Sequence, residues 1–513
     1  MRSVLLVTFD QIYQEPILPK EEYLVGIDRE TLLRIASYLL NLHAAEDFRV
    51  TFPRIFGSHS RDEATRIFRR LEQLERTSHS MISIIAPESA LKLFQLIFPR
   101  PDEPCTQSEA EMEGNIFRLF FAVNSEVVAA ENTSLDNAPE LPGVDPIARL
   151  ALLNSHARFD ITHEGVERLM ISQMAKSIQL FTFMEEREKY HLLLAAFLEA
   201  FRCGTWQEYS QRIFSLIKLI WDQISSNSTG TIIVKEEDDR IFLDNFILAE
   251  GAHVITDDYF SVRERPLFKV ANDEYVVVYP RFVVEMLHKG LYWRFQKLNE
   301  DSSRTLLGGQ DWAGLYKKEF SEEYLLNPIL DSILTKQGTA ISGKELEDSG
   351  VLAADGHVEP DYYFKATKRV ILLESKDVNI NKLFKNGDDF NGFVEELRDK
   401  FYRRSSAPVT NKLKKTAVLQ LLRNIQRLLS GVPKFDKPIA QPAQLIIYPI
   451  LLVHDSFYNM PGLNAVVDSW LQQELIRLRH EGIIAVHGRI RPLTIIDIDT
   501  LITYQDPFAE NKL

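Results

Sequence analysis

The stretch EPDYYFKATKRVILLESKD, residues 359 to 377, decides the predicted fold of the C-terminal part of this chain. It is predicted to form two short β-strands joined by the polar turn KATK. Since side chains alternate across a strand, Glu374 and Lys376 face the same side. Asp361 begins the partner strand, where a hairpin brings it beside the end of the second strand. The sequence therefore predicts that Asp361, Glu374 and Lys376 converge at one margin of a sheet.

Two carboxylates and an ammonium at one point of a sheet suggest a particular chemistry. Carboxylate and backbone carbonyl oxygens are hard ligands that suit Mg²⁺. A bound divalent cation lowers the pKa of a water ligand, and a neighbouring lysine can hold that water and offset charge on a phosphate. The set of Asp361, Glu374 and Lys376 therefore suits the hydrolysis of a phosphodiester bond.

Pro360-Asp361, followed by Glu374-Ser375-Lys376 at the end of an apolar strand, resembles the PD-(D/E)xK nuclease superfamily. The resemblance covers roughly residues 306 to 513 and implies the restriction-endonuclease-like fold, with a mixed β-sheet flanked by helices. By this resemblance, Asp361 and Glu374 would bind Mg²⁺, for which Mn²⁺ could substitute, and the carbonyl of Ser375 would be a further metal ligand. Lys376 would serve the attacking water, so that Asp361, Glu374 and Lys376 are the expected catalytic residues.

A Glu-x-Lys tripeptide alone carries little information, and this chain has another at Glu510-Asn511-Lys512. The informative feature is the whole series: a Pro-Asp pair, a polar turn, an apolar strand, Glu-x-Lys and then a basic helix. The alternative is a solvated hairpin end with an incidental salt bridge, which would contribute little to stability.

The resemblance also implies an additional acid on the helix before the sheet, in the segment KKEFSEEYLLNPILDSIL, residues 317–334. Glu323 shares an α-helical face with three apolar residues and is the expected acid, with Glu319 as the second choice. Pro328 complicates this assignment, because it would either kink a continuous helix or begin a new one. In the second case, Glu323 falls outside the helix. A surface acid without a catalytic role is the alternative.

Residues 398–437 form a basic strip, with eleven Lys or Arg against two Asp in a chain whose net charge is −14. Within it, residues 410–431 predict an amphipathic helix that ends at Gly431. Its apolar face consists of Leu413, Ala417, Leu421, Ile425 and Leu428. Its polar stripe consists of Lys412, Thr416, Gln420, Arg423 and Arg427. We expect Lys412, Gln420, Arg423 and Arg427 to bind nucleic acid, the cations through phosphates. The alternative is an ordinary solvated cationic face.

The composition is that of a globular protein, 45% hydrophobic and 26% charged. Cys105 and Cys203 are too few for a disulfide framework or a cysteine-rich zinc site, which fits a reducing cytoplasm. Apolar runs are shorter than the roughly 18 residues that span a bilayer, so no membrane association is expected. GTAISGKE, residues 338–345, begins like a P-loop, but Glu345 replaces the required Ser or Thr, and we interpret the segment as a loop.

The predicted fold class is multidomain α + α/β. Residues 1–225 are predicted to be a mostly helical recognition or regulatory region. Residues 226–305 are predicted to be a small α/β or β-rich connecting region, and residues 306–513 the nuclease-like domain. The N-terminal region is expected to bind a target or protein partner, to self-associate, or to control activity.

The predicted function is that of a Mg²⁺-dependent nuclease acting on DNA, an endonuclease rather than an exonuclease. A place in a prokaryotic restriction or antiviral defence system is an analogy with other helical additions to this fold. Two alternatives stay open: an RNA-cleaving enzyme of the same fold, and a nucleic-acid-binding protein that keeps the fold without cutting.

Overall fold

The computed structural model describes most of the chain, in two compact units that are each described separately below. One unit contains 1–136, 164–170 and 195–294, and the other contains 137–163, 171–194 and 295–513. The described residues are 4–41, 47–156, 166–225, 230–249, 255–256, 259–348, 360–380, 389–402, 416–431, 433, 435–483 and 489–510.

The first unit is mostly helical, as the sequence predicts for the N-terminal region. Its principal helices are Arg29–Asn41, Phe48–Ile55, Arg61–Ser78, Pro87–Ile97, Glu109–Asn137, Trp206–Ser225, Glu237–Asp244 and Pro280–Glu285. Strands Val4–Leu6 and Met81–Ser83 pair in parallel, and Thr231–Ile233, Leu267–Ala271 and Glu274–Val277 form a three-stranded antiparallel sheet. Within the described part of the chain, no helix is long and apolar enough to cross a bilayer.

The second unit is built on one mixed sheet of six strands. The strands are β1 (Thr339–Ser342), β2 (Tyr362–Ala366), β3 (Arg369–Lys376), β4 (Ile446–Val453), β5 (Arg489–Ile490) and β6 (Thr494–Asp497). The first three strands form an antiparallel meander, and β3 runs parallel to β4. Both β5 and β6 pair in parallel with β4. The predicted hairpin is confirmed, with its turn at Thr367 and Lys368 between paired Ala366 and Arg369.

Helices cover both faces of this sheet. They include α1 (Asn327–Leu334), which continues directly from a π-helix (Tyr316–Leu326), α2 (Phe390–Phe401), α3 (Ala417–Leu429) and α4 (Leu463–His480). On one face, Tyr363 and Leu372 share a buried core with α2, α3 and α4. On the other face, the hydroxyl of Tyr362 donates a hydrogen bond of 2.6 Å to Asp331 of α1. The mixed sheet flanked by helices is thus as predicted.

Further α-helices lie wholly or partly in this unit: Pro146–Ser155, Val166–Glu185, His191–Ala200, Lys289–Asp301, Trp312–Leu315, Gly343–Asp348, Ile498–Thr503 and Gln505–Glu510. The compact unit that holds the sheet includes 137–163 and 171–194, which the sequence analysis grouped with the N-terminal region.

The segment that begins like a P-loop is part of the sheet, and its interpretation as a loop is wrong. Thr339–Ser342 pairs with β2 as an antiparallel edge strand. The two glycines flank that strand where the backbones approach closely. A Cβ at Gly338 would lie 2.4 Å from the carbonyl oxygen of Lys365, and one at Gly343 would lie 3.1 Å from that of Asp361. The glycines therefore allow the close packing of this strand. The G-x-x-x-x-G-K pattern alone does not distinguish that role from phosphate binding.

Gly338→Ala is predicted to loosen the edge of the sheet, because its Cβ would collide with backbone that cannot move independently. We expect a cost of about 1 to 3 kcal/mol, measured as faster amide hydrogen exchange in β1. The matched control is Gly314→Ala, whose Cβ would meet nothing closer than 4.0 Å. Unchanged exchange in Gly338→Ala would show that the clash is relieved without loosening β1.

Candidate active site

The ends of β2 and β3 place three charged residues together. Tyr362 pairs with Leu373, so continuing the antiparallel register by one residue sets Asp361 opposite Glu374. Asp361 Oδ2 accepts a hydrogen bond of 2.7 Å from the backbone N–H of Ser375. Lys376 Nζ donates to Glu374 Oε1 at 2.5 Å. The predicted convergence of Asp361, Glu374 and Lys376 is therefore confirmed, although these contacts do not test a catalytic role.

Glu374 lies in an unusual electrostatic environment, since its side chain is 0% exposed. Burial and the adjacent charge of Asp361 raise the pKa of Glu374 well above its usual value, against the opposing effect of Lys376. Its second oxygen, Oε2, has no hydrogen-bond partner among the described residues. Two carboxylates in such contact are stable only with a proton or a cation between them. In the metal-free protein, the raised pKa of Glu374 and its hydrogen bond with the Asp361 carboxyl correspond to a shared proton, and a bound cation would take the place of that proton.

The residues present fit Mg²⁺. Asp361 and Glu374 offer carboxylate oxygens, and Ser375 between Glu374 and Lys376 offers a backbone carbonyl. Among the described residues, no three His, Cys, Asp or Glu side chains are grouped closely enough to hold a metal ion by themselves. Water would therefore complete the coordination, as is usual for Mg²⁺ in proteins.

A third acid, Glu322, lies near this site and was missed by the sequence analysis. Burial, followed by the charge of Asp361, raises the pKa of Glu322 to about 7, while Lys376 acts in the opposite direction. The predicted acid, Glu323, instead pairs with Lys344 at 2.9 Å. Glu322 is therefore an acid of this segment that is coupled to both Asp361 and Lys376.

The second choice, Glu319, is also engaged elsewhere. Its carboxylate accepts a hydrogen bond of 3.0 Å from the hydroxyl of Tyr190 and pairs with Arg187 and Lys189. This cluster explains the lowered pKa of Glu319, because burial, which would raise it, is outweighed by the donated hydrogen bonds and the two cations.

Of the two alternatives left open by Pro328, the second agrees with the structure: α1 begins at Asn327, and residues 316–326 before it form a π-helix, so Glu323 lies outside the α-helix. The backbone N–H of Asn327 donates to the carbonyl of Glu322, five residues earlier. Pro328 then occupies the first turn of α1, where its missing N–H is tolerated. Its ring disfavours an ordinary α-helical turn before it, and the wider turn relieves that conflict. Pro328 is the sequence signal that indicates a new helix at this point.

The C-terminal end of β3 is held by further contacts, which the sequence pattern did not predict. Ser375 Oγ and His454 Nε2, just after β4, are 2.8 Å apart. Burial lowers the pKa of His454 to about 4, so the ring is neutral at pH 7. Lys317 Nζ donates to the carbonyl oxygen of Asp377 at 2.8 Å. These contacts hold Ser375 in place while its neighbours Glu374 and Lys376 point to the opposite face.

Helix α3 confirms the predicted apolar face at Ala417, Leu421, Ile425 and Leu428, which are all buried, whereas Leu413 lies outside the described residues. The predicted polar stripe is less exposed than expected. Gln420 is buried, and its Oε1 has no partner among the described residues. Arg423 and Arg427 are half-buried, and Arg427 donates to Asn424 on the same helix. Lys412 lies outside the described residues.

Comparison with known proteins adds no relative to this description. The chain matches no protein-family model, no curated protein and no solved structure. The chemical interpretation of the site therefore depends on the geometry of Asp361, Glu374, Lys376 and Glu322.

Glu322→Gln is predicted to stabilise the metal-free protein at high pH and not at low pH. The pKa of Glu322 is raised from 4.5 to about 7 on folding. Ionisation therefore costs nothing below about pH 4.5 and most above about pH 7, so stability is lost as pH rises between these values. We expect a gain of about 1 to 3 kcal/mol at pH 8, measured by urea unfolding. The control Glu323→Gln should give no such gain, and equal gains in both variants would contradict the assignment of Glu322.

Mg²⁺ is predicted to raise the unfolding temperature of the wild-type protein. At ten times its dissociation constant, a ligand of the folded state stabilises by about 1.4 kcal/mol. Asp361→Asn keeps an oxygen to accept the Ser375 N–H but removes a charge, so most of this gain should disappear. Glu395→Gln, which changes a half-exposed acid paired with Arg398, should keep it. An undiminished Mg²⁺ effect in Asp361→Asn would show that the ion binds elsewhere.

Proposed function

We propose that this protein is a Mg²⁺-dependent nuclease that hydrolyses phosphodiester bonds of DNA. The observation that carries the proposal is the buried carboxyl of Glu374, set opposite Asp361 and paired with Lys376 on its own strand. A surface salt bridge, the alternative that the sequence left open, would be solvated. Here the acid is fully buried, and one of its oxygens is unpartnered.

The connectivity of the second unit supports a restriction-endonuclease-like fold. A helix precedes an antiparallel meander of β1, β2 and β3, and two helices then lead to β4, which is parallel to β3. The acidic residues lie where β2 begins and β3 ends. This is the arrangement that the resemblance to the PD-(D/E)xK superfamily implies, and it supports the same assignment of roles.

Asp361, Glu374 and the carbonyl of Ser375 would hold the cation. When bound, Mg²⁺ supplies Lewis-acid chemistry: it lowers the pKa of water and offsets negative charge on the phosphate. Ser375 is kept in register by its N–H bond to Asp361 and by the contact of its hydroxyl with His454. Glu322 would be the additional acid that the resembled superfamily places on the preceding helix.

Lys376 keeps its proton in the metal-free protein. Burial would lower the pKa of Lys376, but the charges of Glu374 and Asp361 outweigh burial and raise it. An ammonium is therefore present at neutral pH, ready to donate hydrogen bonds to water or to a phosphate oxygen. Its contribution would be to orient the nucleophile and to offset the charge that develops in the transition state.

Incubation with labelled nucleic acids in Mg²⁺ or Mn²⁺ tests the proposal directly. Supercoiled plasmid, linear duplex DNA, single-stranded DNA and RNA should be compared in parallel. Nicking or linearisation of the plasmid would support the proposed endonuclease, whereas digestion of RNA alone would favour the RNA-cleaving alternative. Binding without cleavage of any polymer would favour a protein that keeps the fold and does not cut. The mostly helical first unit would recognise a target or control activity, as in a restriction or antiviral defence system.

Lys376→Ala is predicted to lower single-turnover cleavage by about two to four orders of magnitude, as expected for loss of a group that positions protons and charge. Lys376→Arg should restore little, because a guanidinium is bulkier and cannot give up its proton. Asp361→Ala should abolish cleavage. The matched control is Lys368→Ala, an exposed lysine in the turn at the other end of the same hairpin. If Lys376→Ala cleaved DNA at the wild-type rate, this hairpin would not be part of the active site.

A further inference from the structure

Two lysines outside the basic strip lie beside the candidate site. Lys344 directly follows Gly343, whose backbone N–H donates a hydrogen bond of 2.8 Å to the carbonyl oxygen of Asp361. The side chain of Lys344 is 51% exposed and pairs with Glu323. Lys344 is therefore anchored through its neighbour to the backbone of the proposed metal ligand, while its ammonium stays accessible to solvent.

Lys318 approaches the site from the π-helix. It is exposed, and it forms no ion pair with any residue in the described part of the chain. It lies four residues before Glu322, which is close to one turn of the helix, and its charge is among those that act on the Glu322 carboxyl. Lys318 on the π-helix and Lys344 just after β1 thus each lie near an acid of this segment, Glu322 and Glu323 respectively.

We propose that Lys318 and Lys344 form a second phosphate-binding surface, which holds the backbone of the DNA strand at the active site. This inference rests on the proposed nuclease function and extends it to residues outside the basic strip. The π-helix leads into α1, on the Tyr362 face of the sheet, whereas α3 packs on the Tyr363 face. A DNA strand that crosses the sheet margin would then meet cations on both sides.

The charges around this margin explain why such a surface is needed. Asp361, Glu322 and Glu323 would repel a polyanion, and only nearby cations can compensate. In the pair between Lys344 and Glu323, the lysine side chain is 51% exposed and the glutamate only 19%. The ammonium of Lys344 can therefore contact a phosphate from the solvent side while it keeps Glu323 as a partner. Lysine, as a point charge, would contact phosphate without reading the base sequence.

The test is the salt dependence of DNA binding under conditions that prevent cleavage. Fluorescence anisotropy with a fluorescein-labelled DNA duplex, with Ca²⁺ in place of Mg²⁺, would give dissociation constants across a series of salt concentrations. For the double variant Lys318→Ala/Lys344→Ala, the slope of log affinity against log salt should fall by about two, close to one per lost phosphate contact. Lys336→Ala is the matched control, because Lys336 is exposed and precedes β1 at its opposite end.

A variant that is expected to strengthen DNA binding makes the test stricter. Glu323→Gln removes an acid that pairs with Lys344 and also repels DNA, so it should tighten DNA binding, and this gain should be smaller when Lys344→Ala is added. A double lysine variant with the wild-type salt slope, in a protein that cleaves DNA, would overturn the second surface and leave the nuclease proposal standing. A wild-type protein that neither binds nor cleaves DNA would overturn both proposals.

Discussion

The second unit depends on one costly arrangement, the burial of Glu374 against Asp361. A carboxylate taken out of water and set beside another carboxylate destabilises the fold unless a cation or proton compensates. Lys376 supplies part of that compensation from two residues along the same strand, and it leaves Oε2 of Glu374 unpartnered. The hairpin register, the Ser375 contacts and the glycine beside Asp361 all hold this arrangement in place.

The hairpin could be predicted from the sequence because its signals are local. Alternation places Glu374 and Lys376 on one face, a polar turn separates two β-branched and aromatic runs, and the observed register follows from these. The apolar face of α3 was predicted for the same reason, since helical periodicity is read along a continuous segment. Where the pattern is local and regular, the residues and the structure agree.

The rest of the site could not be predicted, because it depends on contacts distant in sequence or on irregular backbone. α-Helical spacing predicts Glu323 as the acid on the preceding helix, whereas residues 316–326 form a π-helix in which Glu322 is coupled to Asp361 and Lys376. His454 lies 79 residues from its partner Ser375, and no spacing rule links them. Gln420 was expected on a polar stripe, but the packing of α3 on the sheet buries it. In each case the sequence gives the residue type, but tertiary structure determines where its side chain lies.

The glycines at both ends of β1 restrict how this part of the protein can change. A Cβ at Gly338 would collide with neighbouring backbone, one at Gly343 would meet backbone at a tight 3.1 Å, and four residues separate the two glycines. Inserting or deleting one residue in the strand would move a bulkier residue into one of these crowded places. It would also turn the remaining side chains of the strand to the opposite face. The length of β1 is therefore fixed, and substitution rather than insertion or deletion is the route by which this edge of the sheet can vary.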